Sequence, residues 1–274
     1  MGWGRLILFK DVNKLGPKCQ HPVFLIFSQF CPAVYRDSCY LVTWCPSWYP
    51  NHYSCQNWSQ LSKYVDYFYV MDYDGIHPPN QAACSNRLPD MINGMNQFLK
   101  FMPREKLVQL ITWNDLKFEC LRPWPRENSK DTCFVRNHDF SPQPTTGNQR
   151  LGLCTTQYQI IEAKTQGYKP IYDHNDACYH ILLDEFTEFD AKTRRYKIYY
   201  NTVETNILKL KSVAVNKNLA GIGFWWTLSI DSRDSTCYKK FSYQYWQMMI
   251  KILNQMMGKN HENHENEDEN QNFL

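Results

Sequence analysis

Four short runs of apolar residues stand out along the chain. They cover residues 41–45, 64–71, 106–113 and 221–226. Each is rich in β-branched or aromatic residues and is bounded by turn formers, so each predicts a strand. The runs are nearly continuous rather than alternating, which fits strands buried on both faces, as in a parallel sheet. Helical periodicity lies between and after them. Residues 88–102 carry Met91, Met95, Phe98 and Leu99 on one stripe. Residues 202–215 carry Val203, Ile207, Leu210 and Val213, and residues 241–257 carry Tyr245, Met248, Met249, Ile252 and Met256. Strands alternating with helices predict an α/β fold.

The rest of the pattern divides the chain. Residues 1–40 show no period and read as an irregular N-terminal remnant. Residues 118–200 interrupt the alternation with Pro123, Pro125, Pro142, Pro144, Gly147 and Gly152, and with Cys120, Cys133, Cys154 and Cys178. They read as a disulfide-pinned insertion before the last strand. Residues 258–274 are polar and low in complexity, with nothing to bury, and are expected to be disordered. The remaining body is residues 41–257.

Composition narrows the classes. A net charge of +3 over 274 residues, with scattered Lys and Arg, gives no nucleic-acid footprint. The 11 cysteines include no C-x-x-C pair, so zinc-ribbon spacing is absent and no metal site is predicted. Separated cysteines fit an oxidising compartment, and the Asn57-Trp58-Ser59 sequon points the same way. Cys55 with Cys84 and Cys120 with Cys133 are candidate pairs, because pairing does not follow from sequence. The start of the chain has only a four-residue apolar run before Lys10, which makes no clear signal peptide. No run is long enough for a membrane span. No cofactor signature is present.

The strand ends carry the candidate chemistry. Met71-Asp72-Tyr73-Asp74, Trp113-Asn114-Asp115 and Trp225-Trp226-Thr227 each follow a strand. A tyrosine hydroxyl beside a carboxylate and an indole floor can grip an N-acetyl sugar. The ring stacks on the apolar sugar face and the polar groups take the acetamide. The plain alternatives are a turn at Asp74-Gly75 and core roles for Trp225, Trp48 and Trp113. His138, His174 and His180 read as ordinary histidines.

In order and spacing, these motifs resemble the last four strand–helix units of a family 18 glycoside hydrolase barrel, of the di-N-acetylchitobiase type. Met-x-Tyr-Asp at 71–74 is similar to the end of that family's sixth strand, residues 106–113 to its seventh, and Gly-Ile-Gly-Phe-Trp at 221–225 to its eighth. The resemblance implies a partial TIM barrel with the insertion before its last strand. It implies that Tyr73 and Asp74 hold an acetamido group, that Trp225 floors the cleavage subsite, and that Met71 and Trp113 line the cleft. N-acetylglucosamine oligosaccharides are the implied ligands, and a lysosomal or extracellular location follows. The seventh strand ends here in Thr112-Trp113-Asn114-Asp115 rather than Pro-x-Tyr-Gly, and Asn201 replaces an aspartate.

Family members cleave by substrate-assisted retention, with a glutamate as acid on a fourth-strand D-x-x-D-x-D-x-E motif. That spacing does not occur in this chain. Asp184, Glu185 and Glu188 lie in the insertion at other spacings. A barrel of about 250 residues puts its sixth strand near residue ~160, so about three units are expected to be missing from the front. The expectation is a truncated or inactive glycosidase. The alternatives are a non-catalytic chitin-oligosaccharide-binding protein, or an incomplete gene product without a stable fold. Self-association that covers exposed barrel edges is also expected.

Overall fold

The computed structural model describes residues 25–28, 41–47, 49–50, 57–73, 80–112, 114–125, 132–136, 148–188, 190–225 and 235–256. Two five-stranded sheets organise them.

The first sheet contains the four predicted strands. β1 (Leu25–Ser28), β2 (Leu41–Trp44), β3 (Tyr67–Met71), β4 (Leu107–Thr112) and β10 (Gly221–Trp225) lie side by side in that order. β2, β3, β4 and β10 run parallel, and β1 joins antiparallel to the outer edge of β2. Residues 1–40 show no period, yet Leu25, Ile26 and Phe27 pair with the open backbone edge of β2. Four residues are too few to announce themselves by alternation. The long gaps between parallel strands hold crossover helices, as right-handed βαβ units require.

Alternation along the strands sorts their two faces. Phe68 and Val70 of β3, and Leu107 and Ile111 of β4, are buried against the helices. There they meet Met91, Met95 and Phe98 of α2 (Leu88–Phe98). Leu210 of α4 (Val203–Leu210) and Val213 and Ala214 of the π-helical turn that prolongs it join the same cluster. So do Tyr245, Met248 and Ile252 of α5 (Ser235–Met256). Trp58 of α1 (Trp58–Leu61) closes this core edge-on to Phe68 and Phe98. The opposite face of β3 and β4 presents Tyr67, Tyr69, Met71, Val108 and Leu110 as a second, smaller cluster. β10 runs alongside β4 in the same sheet, with Gly223 paired to Leu110. A Cβ on Gly223 would stand 2.7 Å from Leu110 Cδ2, which is why glycine serves there.

The described residues between Asp115 and Tyr200 form a second folded layer. β5 (Asp115–Glu119), β6 (Gln149–Leu151), β7 (Ile171–Asp173), β8 (Cys178–Thr187) and β9 (Lys192–Tyr200) form an antiparallel sheet in the order β6-β5-β9-β8-β7. α3 (Leu153–Thr165) covers one face through Ile160 and Ala163, packed on Ile181, Leu183, Ile198 and Tyr200. The other face meets Ala82, Cys84 and Val135. A disulfide joins Cys120 to Cys133. A second joins Cys154 at the start of α3 to Cys237 in α5, tying the two sheets together. Cys84 is a free thiol in this structure, turned into the interior against the second sheet; its candidate partner Cys55 lies outside the described residues. No described helix is long and apolar enough to cross a membrane. The polar tail at 258–274 lies outside the described residues.

Candidate functional site

The parallel register brings the strand ends together. Ser47 bridges Met71, Met71 pairs with Leu110, and Trp225 pairs with Thr112. The C-terminal ends of β2, β3, β4 and β10 therefore share one rim, the rim that carries chemistry in parallel α/β barrels. Met71 and the backbone of Trp225 flank β4 on this rim. Asp74 and Trp113 lie outside the described residues, as does the side chain of Trp225.

β3 divides its end residues between two faces. Met71 and Tyr73 continue the Tyr67–Tyr69 side, where Tyr73 is 8% exposed and packs against Val108 and Leu110. Four aromatic or thioether side chains at every second position make a broad apolar wall. Asp72 turns the other way, into the space between the sheet and α2. Its backbone N–H donates to the Leu110 carbonyl at 2.9 Å, which extends the β3–β4 ladder one step.

Asp72 is the residue whose behaviour sequence reasoning missed. Gln109 of β4 donates through Nε2 to its Oδ2 at 2.9 Å, while Oδ1 has no partner. Burial pushes the carboxyl up to about 8, against the pull of the Gln109 bond. At neutral pH the group is mainly a neutral acid and so a hydrogen-bond donor. Asn86, also buried and without a partner on either amide atom, lines the same small cleft with Ser85, Arg87, Asp90 and Met91. The enclosed space, about 10 Å³, suits about one water and excludes a sugar ring. Asp72 therefore shapes the back of the rim. The signal available in sequence was a Gln in the middle of an otherwise apolar strand.

A second polar knot lies where the insertion meets the first sheet. Asp115, buried at the start of β5, accepts the Asn201 backbone N–H at 3.0 Å, and burial lifts its carboxyl to about 8. Asn201 Oδ1 accepts from the fully buried Lys209 of α4. Lys209 Nζ also stands 3.8 Å from Cys84 Sγ. Asn57, the sequon residue, is exposed and caps α1, its Oδ1 accepting from the Gln60 N–H at 3.1 Å.

The sequence matches no protein-family model and no curated protein. Solved structures do share its fold. The spore cortex-lytic enzyme SleL of Bacillus cereus superposes with a TM-score of 0.53 at 12% identity, over 78% of this chain and 41% of its own. A chitinase from Chromobacterium violaceum gives 0.52 at 15% identity, over 77% and 55%. A family GH18 chitinase from Cycas revoluta gives 0.52 at 18% identity, over 75% and 56%. This chain spans about half the length of these structures. Its fold is similar to part of the fold of these structures.

Proposed function

We propose that this chain binds N-acetylglucosamine oligosaccharides on the rim formed by β3, β4 and β10, as part of a chitinase-like glycosidase of the di-N-acetylchitobiase type. One observation carries the reading. Met71 and Tyr73 continue an unbroken tyrosine-lined face, at the C-terminal end of a parallel strand, in a fold shared with chitinases. The Cycas revoluta enzyme was solved with allosamidin, and a mutant of it with (GlcNAc)3. In this reading Tyr73 and Asp74 hold the acetamido group, Trp225 floors the subsite, and Met71 and Trp113 flank it. The D-x-x-D-x-D-x-E spacing does not occur in the 274 residues. The chain by itself is therefore expected to bind without turnover, because general acid catalysis alone supplies about a hundred- to ten-thousand-fold. An oxidising location, lysosomal or extracellular, belongs to the same proposal.

Calorimetric titration with (GlcNAc)3 tests it. Tyr73→Phe keeps the ring that packs on Val108 and Leu110 and removes only the hydroxyl. It should weaken binding about tenfold with no change in melting. Trp225→Ala should abolish it. Absence of heat at millimolar ligand would sink the binding reading, and release of reducing sugar would overturn the lack of turnover.

A second observation favours self-association. Tyr243, Trp246, Ile250 and Leu253 of α5 are exposed and recur at steps of three and four. That spacing suits another helix, and the occupant proposed is α5 of a second copy. Sedimentation should show a dimer that Trp246→Glu/Ile250→Glu converts to monomer; a monomeric wild type at all concentrations would remove this reading.

A further inference from the structure

Two segments far apart in sequence are held side by side. Arg87 Nε donates to both carboxylate oxygens of Asp176 at 3.0 Å, and the Leu88 N–H donates to the Asp176 carbonyl at 3.2 Å. Further along the first segment, Tyr199 of the second sheet donates to the Ala82 carbonyl at 3.1 Å. These bonds flank Cys84 on both sides and hold Asp176, two residues before Cys178, against the same segment. Both thiols are buried, at 1% and 0% exposed, in one cluster with Leu116, Phe118 and Tyr199. Their side chains share that cluster, and Lys209 Nζ lies 3.8 Å from Cys84 Sγ. Two other cysteine pairs of the same chain, Cys120–Cys133 and Cys154–Cys237, are already disulfides. A chain that forms these folds where thiols are oxidised.

We propose that Cys84 and Cys178 are a third disulfide of this protein, formed as the second sheet docks onto the loop that follows β3. The thiolate of Cys84 forms first, because Lys209 Nζ stands 3.8 Å from its Sγ. Burial pushes both thiols up; the contact with Cys178, the charge of Lys209 and a hydrogen bond with the Asn86 backbone bring Cys84 back below its ordinary value, while Cys178 stays well above it. Cys84 is therefore the nucleophile and Cys178 the resolving partner.

The oxidant is a small-molecule or protein disulfide. Cys84 thiolate attacks one of its sulfurs, making a mixed disulfide and releasing one thiolate. Cys178, deprotonated in turn, attacks the Cys84 sulfur and releases the second. Two electrons leave the protein, and the two thiol protons pass to the two released thiolates. Because both sulfurs are buried in the folded chain, exchange happens during docking, and the finished bond is sheltered from reduction. Lys209 then keeps Asn201 Oδ1 as its hydrogen-bond partner. The bond closes a loop of 94 residues (178 − 84), between a segment of the first sheet and β8.

Peptide mapping of the full chain, secreted from an oxidising host and alkylated in denaturant without reductant, tests this. Trypsin places Cys84 alone in residues 64–87 and Cys178 alone in residues 165–192, since Lys169 is followed by proline. The expected product is these two peptides joined, two hydrogens lighter than their sum. Recovery of both peptides alkylated would overturn the proposal. So would linkage of residues 64–87 to residues 37–63, which hold Cys39, Cys45 and Cys55, or a spread over several partners. As a second readout, Cys84→Ala/Cys178→Ala should melt roughly 5–15 °C below wild type when oxidised. The gap should close when both proteins are reduced in denaturant and refolded in reductant; a gap that survives this treatment would reflect packing alone and overturn the disulfide.

Discussion

Between pH 4 and pH 8 the folded and unfolded chains hold different numbers of protons at Asp72. Unfolded, the carboxyl ionises near 3.8; folded, burial raises it to about 8. A raised folded value means that stability is fully present below the unfolded pKa and is lost as pH rises through the folded one. Asp72→Asn keeps the shape, can still accept from Gln109, and cannot ionise. Its stability relative to wild type, read from thermal melts, should therefore rise between pH 5 and pH 8, by on the order of a few kcal/mol. A difference that stays flat would show that Asp72 is not held neutral. Asp115, present in both proteins, cancels from the comparison. His180 predicts the opposite sign. Both its ring nitrogens are without partners, and burial, helped by Lys197, lowers it to about 4. Its contribution is present above its unfolded pKa of about 6.5 and is lost as pH falls through about 4. Replacing it with phenylalanine, which keeps a ring beside Tyr199, should make thermal stability less sensitive to acid over that window. Equal acid sensitivity in circular dichroism melts would count against this account.

At the scale of the element, α4 shows how local chemistry sets a boundary. Thr202 Oγ1 accepts from the Thr205 N–H at 3.3 Å, and Thr205 Oγ1 accepts from the Thr202 N–H at 2.8 Å. This reciprocal cap fixes the helix start immediately after β9 and so places Lys209 and Leu210. Thr202→Ala should cost about 1 kcal/mol, read as a small fall in the urea midpoint with an unchanged slope. Phe98→Ala, which empties a fully buried site under Trp58, should cost about 3–5 kcal/mol by the same measurement. The elements of the first sheet were legible because their signals are local. Four apolar runs with clear breaks, and the stripe from Met91 to Phe98, depend on neighbours within one or two turns. The second sheet was not legible, because its strands bury residues that read as polar. Lys117 is 1% exposed, paired with Glu185 and seated 4.2 Å from the Tyr196 ring, and that shelter exists only once three strands have assembled. The same distance hid Asp72, whose partner Gln109 lies on the next strand, and Cys84, whose neighbour Cys178 lies in the insertion. The strand-end position of Met71 and Tyr73 was legible because it closes an apolar run with a turn, while Asp74 and Trp113 fall outside the described residues.

The whole molecule is held together by how its two sheets are coupled. The covalent path between them is short, with β4 ending at Thr112 and β5 beginning at Asp115, and the return runs from β9 into α4. Leu153 at the start of α3 already packs with the helices of the first sheet, and the neighbouring Cys154 is bonded to Cys237. That bond closes a span of 83 residues, for which chain entropy alone gives about 4–5 kcal/mol. It also anchors the first turns of α5, where, among the described side chains, burial begins at Tyr245. Hydrogen exchange of Cys154→Ser/Cys237→Ser should separate local from global effects. If the bond acts mainly as a clamp on α5, protection should fall over Ser235–Met256 and the first turn of α3, and should persist in β8 and β9, where nine residue pairs align. If β8 and β9 lose protection to the same extent, the two sheets unfold as one unit. The buried knot of Asp115, Asn201 and Lys209 would then be the coupling that matters. The first outcome is expected, because α3 keeps its own contacts with Ile181, Leu183 and Ile198 when the sulfur link is gone.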